Sequence, residues 1–273
     1  MAHEHQERYS NLVDMKLRDT IVQKDGIVWN NRYEGTPKAG AVKIPVRDTE
    51  VTVSAYNKQN GAEKTHGSTA YLTVAINKDY SVNEVIDGFD AAAVPDNLVA
   101  DRLDSAGYSM ALQMNSDSTA ELVSGGTTMG TTAALTETTA YDSFVDARTQ
   151  LSKNKIPAKG RFALVSPDTY ALLLKDKDHF VRATDLGDEV VQAGAVGRIA
   201  GFTVFEDNTL PANVDYIVGH PDWCHRIKEW MVNIHIQDLN GSGTYIGASA
   251  VQGRYIYAHK VSKKAAVLVK KNT

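Results

Sequence analysis

Between Val99 and Met114 the apolar residues Val99, Leu103, Ala106, Met110 and Met114 recur at steps of three and four. That is the period of one buried helix face. Pro95 stands at a first helical position, where proline is tolerated. The pattern predicts a helix over about residues 95–117, roughly 35 Å long at 1.5 Å per residue. Upstream the period is two. AVKIPV, residues 41–46, reads as a strand that Pro45 confines to a sheet edge. RDTE reads as a turn, and EVTVSAY alternates as a second strand. After the polar loop NKQNGAEKTHGST, YLTVAINKDYSV returns as another strand. This excursion carries few large apolar residues, as expected of an arm that packs on a partner. Tyr9, Leu12, Val13, Leu17 and Ile21 form a thin helical stripe before it, also arm-like.

The stretch 116–140, rich in Ser, Thr, Gly and Ala, reads as a short helix plus linker, a place for a domain boundary. The following pattern is that of a compact α/β unit. Thr139 is placed to cap a helix bearing Tyr141, Phe144, Val145, Arg148 and Leu151, stopped by Lys159 and Gly160. RFALVS is a short buried strand, and Ser166–Pro167 starts the helix PDTYALLLKD. GRIAGFTVFEDNTLP reads as turn, strand, turn, and DYIVGH as a strand. Residues 225–237 and the last 35 residues are strand-like.

Composition bounds the function. The chain has 273 residues, 42% hydrophobic and 23% charged, enough for one sizeable core or two smaller ones. A net charge of -4 argues against a general nucleic-acid binder. The single cysteine, Cys224, excludes an internal disulfide framework and a multi-cysteine metal cage. The longest apolar run, residues 265–269, is too short to span a membrane. MAHEHQERYS lacks the apolar centre of a signal peptide, so secretion by that route is not expected.

The charge distribution is uneven. Residues 79–121 hold nine acids and one base, Arg102, a net -8. Residues 239–273 hold six bases and no acid, a net +6. The two segments are expected to be neighbours within the fold or across a subunit contact, the alternative being two solvated faces.

Candidate chemistry is sparse. His220, Cys224 and His225 are zinc-type ligands, but a fourth ligand is missing, and Cys224 and His225 would point to opposite faces of a strand. GAVGRIAG, residues 194–201, lacks the dinucleotide spacing and precedes its strand, so it reads as a tight turn. Asp176, Asp178 and His179 lie in a charged loop with no nucleophile nearby. No nucleophile elbow or HExxH occurs. No catalytic, cofactor-binding or metal residue is assigned, and no enzyme activity or cofactor is expected. Trp29, Trp223 and Trp230 could anchor an interface but read first as core or half-buried packing. Met110, Met114 and Met129 read as core fillers.

Taken in order, the segments resemble the major capsid protein of tailed bacteriophages, with the Hong Kong 97-type coat fold. AGAVKIPV resembles the entry to that family's extended loop in the branch with separate scaffolding proteins. YLTVAINKDYSVNEVIDGFDAA resembles its return strand, and PDNLVADRLDSAGYSMALQM the spine helix. GRFALVSPDTYALLLKD followed by VGRIAGFTVFEDNTLP is the most specific part and resembles the axial domain. The N-terminal arm and the C-terminal strands match only by position.

The resemblance implies an α+β fold with an N-terminal arm (1–35), an extended loop (36–80), a peripheral domain (81–136 and 241–273) and an axial domain (137–240). It implies self-assembly through hexameric and pentameric capsomers into an icosahedral virion shell, built in the bacterial cytoplasm. Implied partners are a separate scaffolding protein, a portal protein, a cement or decoration protein, and weakly held double-stranded DNA, with no membrane. The arm begins almost at Met1, so no long N-terminal scaffolding segment is expected. Lys58 and Lys64 lie in the loop without a crosslinking motif, so no crosslink is expected. The alternatives are an encapsulin-like shell, a tail tube subunit, and an α/β enzyme using the Cys224 region.

Overall fold

The structure is a computed structural model, and it describes residues 18, 21–36, 40–46, 50–61, 66–67, 69–93, 97–130, 133–176, 180–182, 195–241 and 243–272. The stripe Tyr9, Leu12, Val13 and Leu17 lies outside the described residues, as do Lys64, Pro95, Asp178, His179 and Gly194.

Twelve strands and four helices are described. In chain order they are β1 (Ala41–Val46), β2 (Ala70–Ala75), β3 (Lys78–Asp87), α1 (Gly88–Ala93), α2 (Leu98–Gly125) and β4 (Thr127–Thr128). There follow α3 (Ala140–Lys153), β5 (Phe162–Val165), α4 (Pro167–Lys175), β6 (Val181–Arg182), β7 (Ala195–Ile199) and β8 (Phe202–Glu206). The chain ends with β9 (Val214–Gly219), β10 (Cys224–Asp238), β11 (Ala248–Val261) and β12 (Val267–Lys271).

A seven-stranded mixed sheet has the order β4-β12-β9-β5-β8-β7-β6. Its central strands are buried on both faces, which is why FALV is apolar throughout. Ala163 and Val165 meet Tyr216, Val218, Leu268 and the apolar face of α3, including Phe144 and Leu151. Phe162 and Leu164 point the other way, to Ile217, Val267 and Val269, where Val22, Val28, Trp29 and Leu122 cover them. Ser166 caps α4 through its side chain, accepting from the Thr169 N–H, with Pro167 inside the first turn.

A three-stranded antiparallel sheet, β10-β11-β3, carries α2 on one face. Ile86 and Val251 pack there on Ala106, Val99 and Leu103. A separate two-stranded sheet pairs β1 with β2, and Ile44 and Val74 bury against Ile227 and Ala258.

Five expectations change. The predicted helix 95–117 is α2, which runs on to Gly125; at 28 residues it is about 42 Å long. The Ser/Thr-rich stretch continues the helix because Leu122 is fully buried and the hydroxyls of Ser118 and Thr119 find buried partners. EVTVSAY is not a strand: Val51 and Val53 are 85% and 94% exposed, and no strand of the described residues pairs with them. Alternation alone cannot hold a strand without a ladder partner. YLTVAINKDYSV breaks at Ile76–Asn77 into β2 and β3, which join different sheets. Finally, α3 ends at Lys153, ahead of Lys159–Gly160, with Lys155 at φ +61° turning the chain out of the helix. Thr139 is the residue before α3, but its hydroxyl accepts from the Thr136 N–H and bonds no amide of the helix.

Strand pairing crosses residue 240 in both directions: β10 pairs with β11, and β12 sits beside β9 in the seven-stranded sheet. No helix among the described residues is long and apolar enough to cross a membrane.

Candidate functional site

The chemistry-bearing cluster of the sequence is His220, Cys224 and His225. Each side chain there has a structural partner. His220 Nε2–H donates to the Lys159 carbonyl at 2.9 Å, and its Nδ1 accepts from the Asp222 N–H at 3.2 Å. Cys224 is fully buried in the core below the seven-stranded sheet, and burial pushes its thiol pKa up. His225, on the opposite face, bridges Asn30 Oδ1 at 2.8 Å and Ser262 Oγ at 3.0 Å. Desolvation, and then the charge of Arg32, lower its pKa to about 4, so it is a neutral hydrogen-bonding ring at pH 7. No group of three or more His, Cys, Asp or Glu able to hold a metal occurs among the described residues. Asp176 serves as the residue after α4, its N–H bonded to the Leu173 carbonyl. Residues 195–199 are strand β7 rather than a turn, and the tight turn is confined to Ala200–Gly201, leading into β8.

The dense polar centre lies elsewhere, where residues 21–35 meet α2 and β10. Gln23 Nε2 donates to Thr119 Oγ1 and to Asp207 Oδ2, each at 2.6 Å. Its Oε1 accepts from the Ser118 hydroxyl. Asp207 Oδ1 also accepts from the Thr209 N–H at 2.9 Å and its hydroxyl at 2.6 Å. Arg226 donates to Asp25 Oδ1, the Gln23 carbonyl and His259 Nε2, at 2.8, 2.8 and 3.0 Å. Lys228 shares Asp25 through Oδ2 at 3.0 Å. The Trp29 ring, 0% exposed, tilts on His259 at 4.7 Å. His259 is desolvated beside Arg226, which lowers its pKa to about 2. Backbone bonds run alongside: the Asn30 N–H to the Cys224 carbonyl, the Arg226 N–H to the Asn30 carbonyl, and the Gly35 N–H to the Lys228 carbonyl. The arrangement can do no bond-breaking chemistry that the structure displays. It fixes a segment that has no secondary structure of its own.

The charge prediction is met inside the subunit. Arg254 on β11 clasps Asp79 on β3 with Nε–Oδ1 at 2.8 Å and Nη2–Oδ2 at 2.5 Å. Lys260 reaches Glu121 on α2 at 3.0 Å, and Glu121 also accepts the Val261 N–H. Tyr257 donates to Asp117 at 2.9 Å, where Lys78 pairs as well.

The surface carries unusual apolar exposure in two places. The loop after β1 presents Val51, Val53 and Tyr56, with Lys58 beyond them, to solvent. The distal end of the β10–β11 hairpin presents Ile236, Tyr245 and Ile246, and α1 presents Phe89. Of the tryptophans, Trp29 is core, Trp223 is half-buried, and Trp230 is 43% exposed under the Arg254 guanidinium. A subunit with a full core and exposed apolar extensions is built for contacts with other chains.

The family model of the phage capsid protein matches residues 61–268. The chain belongs to the phage capsid protein family. No curated protein matches the sequence. Solved structures share the fold. A chain from Mycobacterium phage Che8 is 20% identical with a TM-score of 0.76, covering 97% of this chain and 96% of that one. The capsid structure of the cyanophage P-SCSP1u gives 15% and 0.77, covering 98% and 93%. The mature capsid of bacteriophage PhiM1 gives 14% and 0.73, covering 98% and 92%. The fold is therefore the α+β Hong Kong 97-type coat fold. This capsid protein is a structural component of the virion, and its partners are further copies of itself.

Sequence reasoning singled out no member of the polar centre except Trp29. Its one legible signal was Ser118–Thr119 inside a helix, where hydroxyls have to find carbonyls or side-chain partners.

Proposed function

We propose that this capsid protein builds the icosahedral head of a tailed phage as hexameric and pentameric capsomers, in the bacterial cytoplasm, around double-stranded DNA. A separate scaffolding protein, a portal and a cement protein are the partners this reading calls for. The match of the family model across residues 61–268 carries it and favours a phage coat over an encapsulin-like shell.

The division of labour follows the cores. Residues 1–35 act as an arm whose second half, residues 21–35, is anchored on its own subunit, and residues 36–80 as a loop extended toward a neighbour. The three-stranded sheet with α2 forms the peripheral unit, and the seven-stranded sheet with α3 and α4 the axial unit. Strand pairing supports moving residues 224–238 to the peripheral unit and 267–271 to the axial one, relative to a cut at residue 240. Closed shells need heterologous contacts that tolerate small differences in geometry. Segments without a core of their own supply that tolerance, and many weak repeated contacts supply the stability.

Negative-stain electron microscopy of the expressed chain, alone and with its candidate scaffolding protein, tests the reading. Closed shells or polyheads are expected. Compact monomers under both conditions would overturn it.

A further inference from the structure

Two stretches of the chain without any acidic residue, 147–166 and 239–273, meet at one end of the seven-stranded sheet. Asn154 Nδ2 donates to the Ala265 carbonyl at 3.0 Å, which sets Lys153 and Lys155 beside Lys264. Gly219 pairs with Phe162 on one side and Val267 on the other, and His220 holds the Lys159 carbonyl. Lys159 therefore joins the same edge. Lys153, Lys155, Lys159 and Lys264 are all exposed, and none has an ion-pair partner among the described residues. Asp222, two residues after His220, pairs with Arg32, and Glu121 pairs with Lys260.

The bland role for lysines here would be to offset the negative end of α3. Lys153 lies in the last turn of α3 and shares that role with Arg161. Arg161 is buried and donates to the carbonyls of Pro157 and Ile156 at 2.8 and 2.6 Å, to that of Arg148 at 3.3 Å and to the Ser152 hydroxyl at 3.2 Å. Lys155, Lys159 and Lys264, beyond the helix, are in excess of it. Lys155 moreover holds φ +61°, a left-handed conformation that glycine takes without cost and a lysine does not.

We propose that this lysine edge docks the phosphate backbone of nucleic acid. The choice of partner rests on what the edge lacks. Protein interfaces need apolar anchors, and every exposed large hydrophobic residue of the described chain lies outside 148–161 and 262–266. Phosphate recognition needs only cations, is independent of base sequence and is weak at high salt. A net charge of -4 is compatible with such a local site. The capsid reading supplies the source of the nucleic acid, but the binding itself is separable from assembly.

The test is fluorescence anisotropy of the full-length chain, as dispersed subunits, with two 30-base-pair duplexes of unrelated sequence. With four phosphate contacts, affinity should fall by about two orders of magnitude between 50 and 200 mM salt, equally for both duplexes. The triple variant Lys153→Gln, Lys159→Gln, Lys264→Gln should retain only about a fourfold dependence. Lys155→Gly should weaken binding while raising the unfolding midpoint, so its loss could not be blamed on misfolding. A control triple variant, Lys24→Gln, Lys43→Gln, Lys58→Gln, should bind as the parent does. No salt-dependent binding by the parent, an equal loss in the control, or binding of a polyglutamate peptide in place of DNA would overturn the proposal. Shell formation, scored separately by microscopy, reports on the capsid reading.

Discussion

Arg226 Nη1 and Asp25 Oδ1, 201 residues apart in sequence, lie 2.8 Å from each other. The pair ties the N-terminal segment to β10. Arg226 is nearly buried, so removing its carboxylate leaves a desolvated cation with only the Gln23 carbonyl and His259 for company. Asp25→Ala should therefore cost about 2–3 kcal/mol in urea unfolding, as expected for a charged hydrogen bond lost in a buried setting. Asp25→Asn should cost less, since it keeps one acceptor. Equal stability of Asp25→Ala and the parent would mean the segment is not held by this pair.

Acid should loosen the same region. Burial lowers the pKa of His225 to about 4 and that of His259 to about 2, while an unfolded histidine titrates near ~6.5. The native state thus binds fewer protons than the unfolded one over that window. This contribution to stability is complete above about pH 6.5 and is lost as pH falls through that value toward 4 for His225, and further for His259. Urea midpoints at pH 7.5, 6 and 5 should decline in that order. The double variant His225→Gln, His259→Gln should show a flatter decline, whatever its absolute stability. An unchanged slope would place the titrating groups elsewhere.

The β7–β8 hairpin closes through Ala200 at φ +46° and Gly201 at φ +87°, with Ile199 paired to Phe202. Two successive positive φ values define the tight turn that matches strand twist, and glycine or asparagine suits its first position. Ala200→Gly should raise stability by about 0.5–1 kcal/mol, read as a higher unfolding midpoint. A lower midpoint would show that the alanine methyl packs more than it strains.

Legibility in the sequence followed local physics. FALV, the Ser166–Pro167 start and the 3–4 spacing of α2 are each decided by residues close in sequence, and each appears where the pattern put it. The extension of α2 to Gly125 was hidden because Ser118 and Thr119 are helix-neutral until Gln23, some 95 residues earlier, arrives to bond them. Val51 and Val53 erred in the other direction, since alternation marks a chain able to form a strand, and pairing is a property of what lies beside it. The rest of the polar centre was invisible for the same reason: Gln23, Asn115 and Asp207 carry no motif and meet only in the fold.

Those two valines also offer the sharpest test of the coat reading. Val51 and Val53 bury almost nothing within the subunit, so Val51→Ser with Val53→Ser should change subunit stability by no more than about 0.5 kcal/mol. If a neighbouring copy covers them in the shell, each fully buried valine contributes about 1.5 kcal/mol per contact. Losing one such contact shifts an association equilibrium by about tenfold, and losing both by about a hundredfold. The concentration at which shells appear by light scattering should then rise by about tenfold or more, with unfolding curves superimposable on the parent's. Shell formation at the parent's concentration would show that the loop stays in solvent after assembly, and the exposed alternation of residues 51–56 would need another partner.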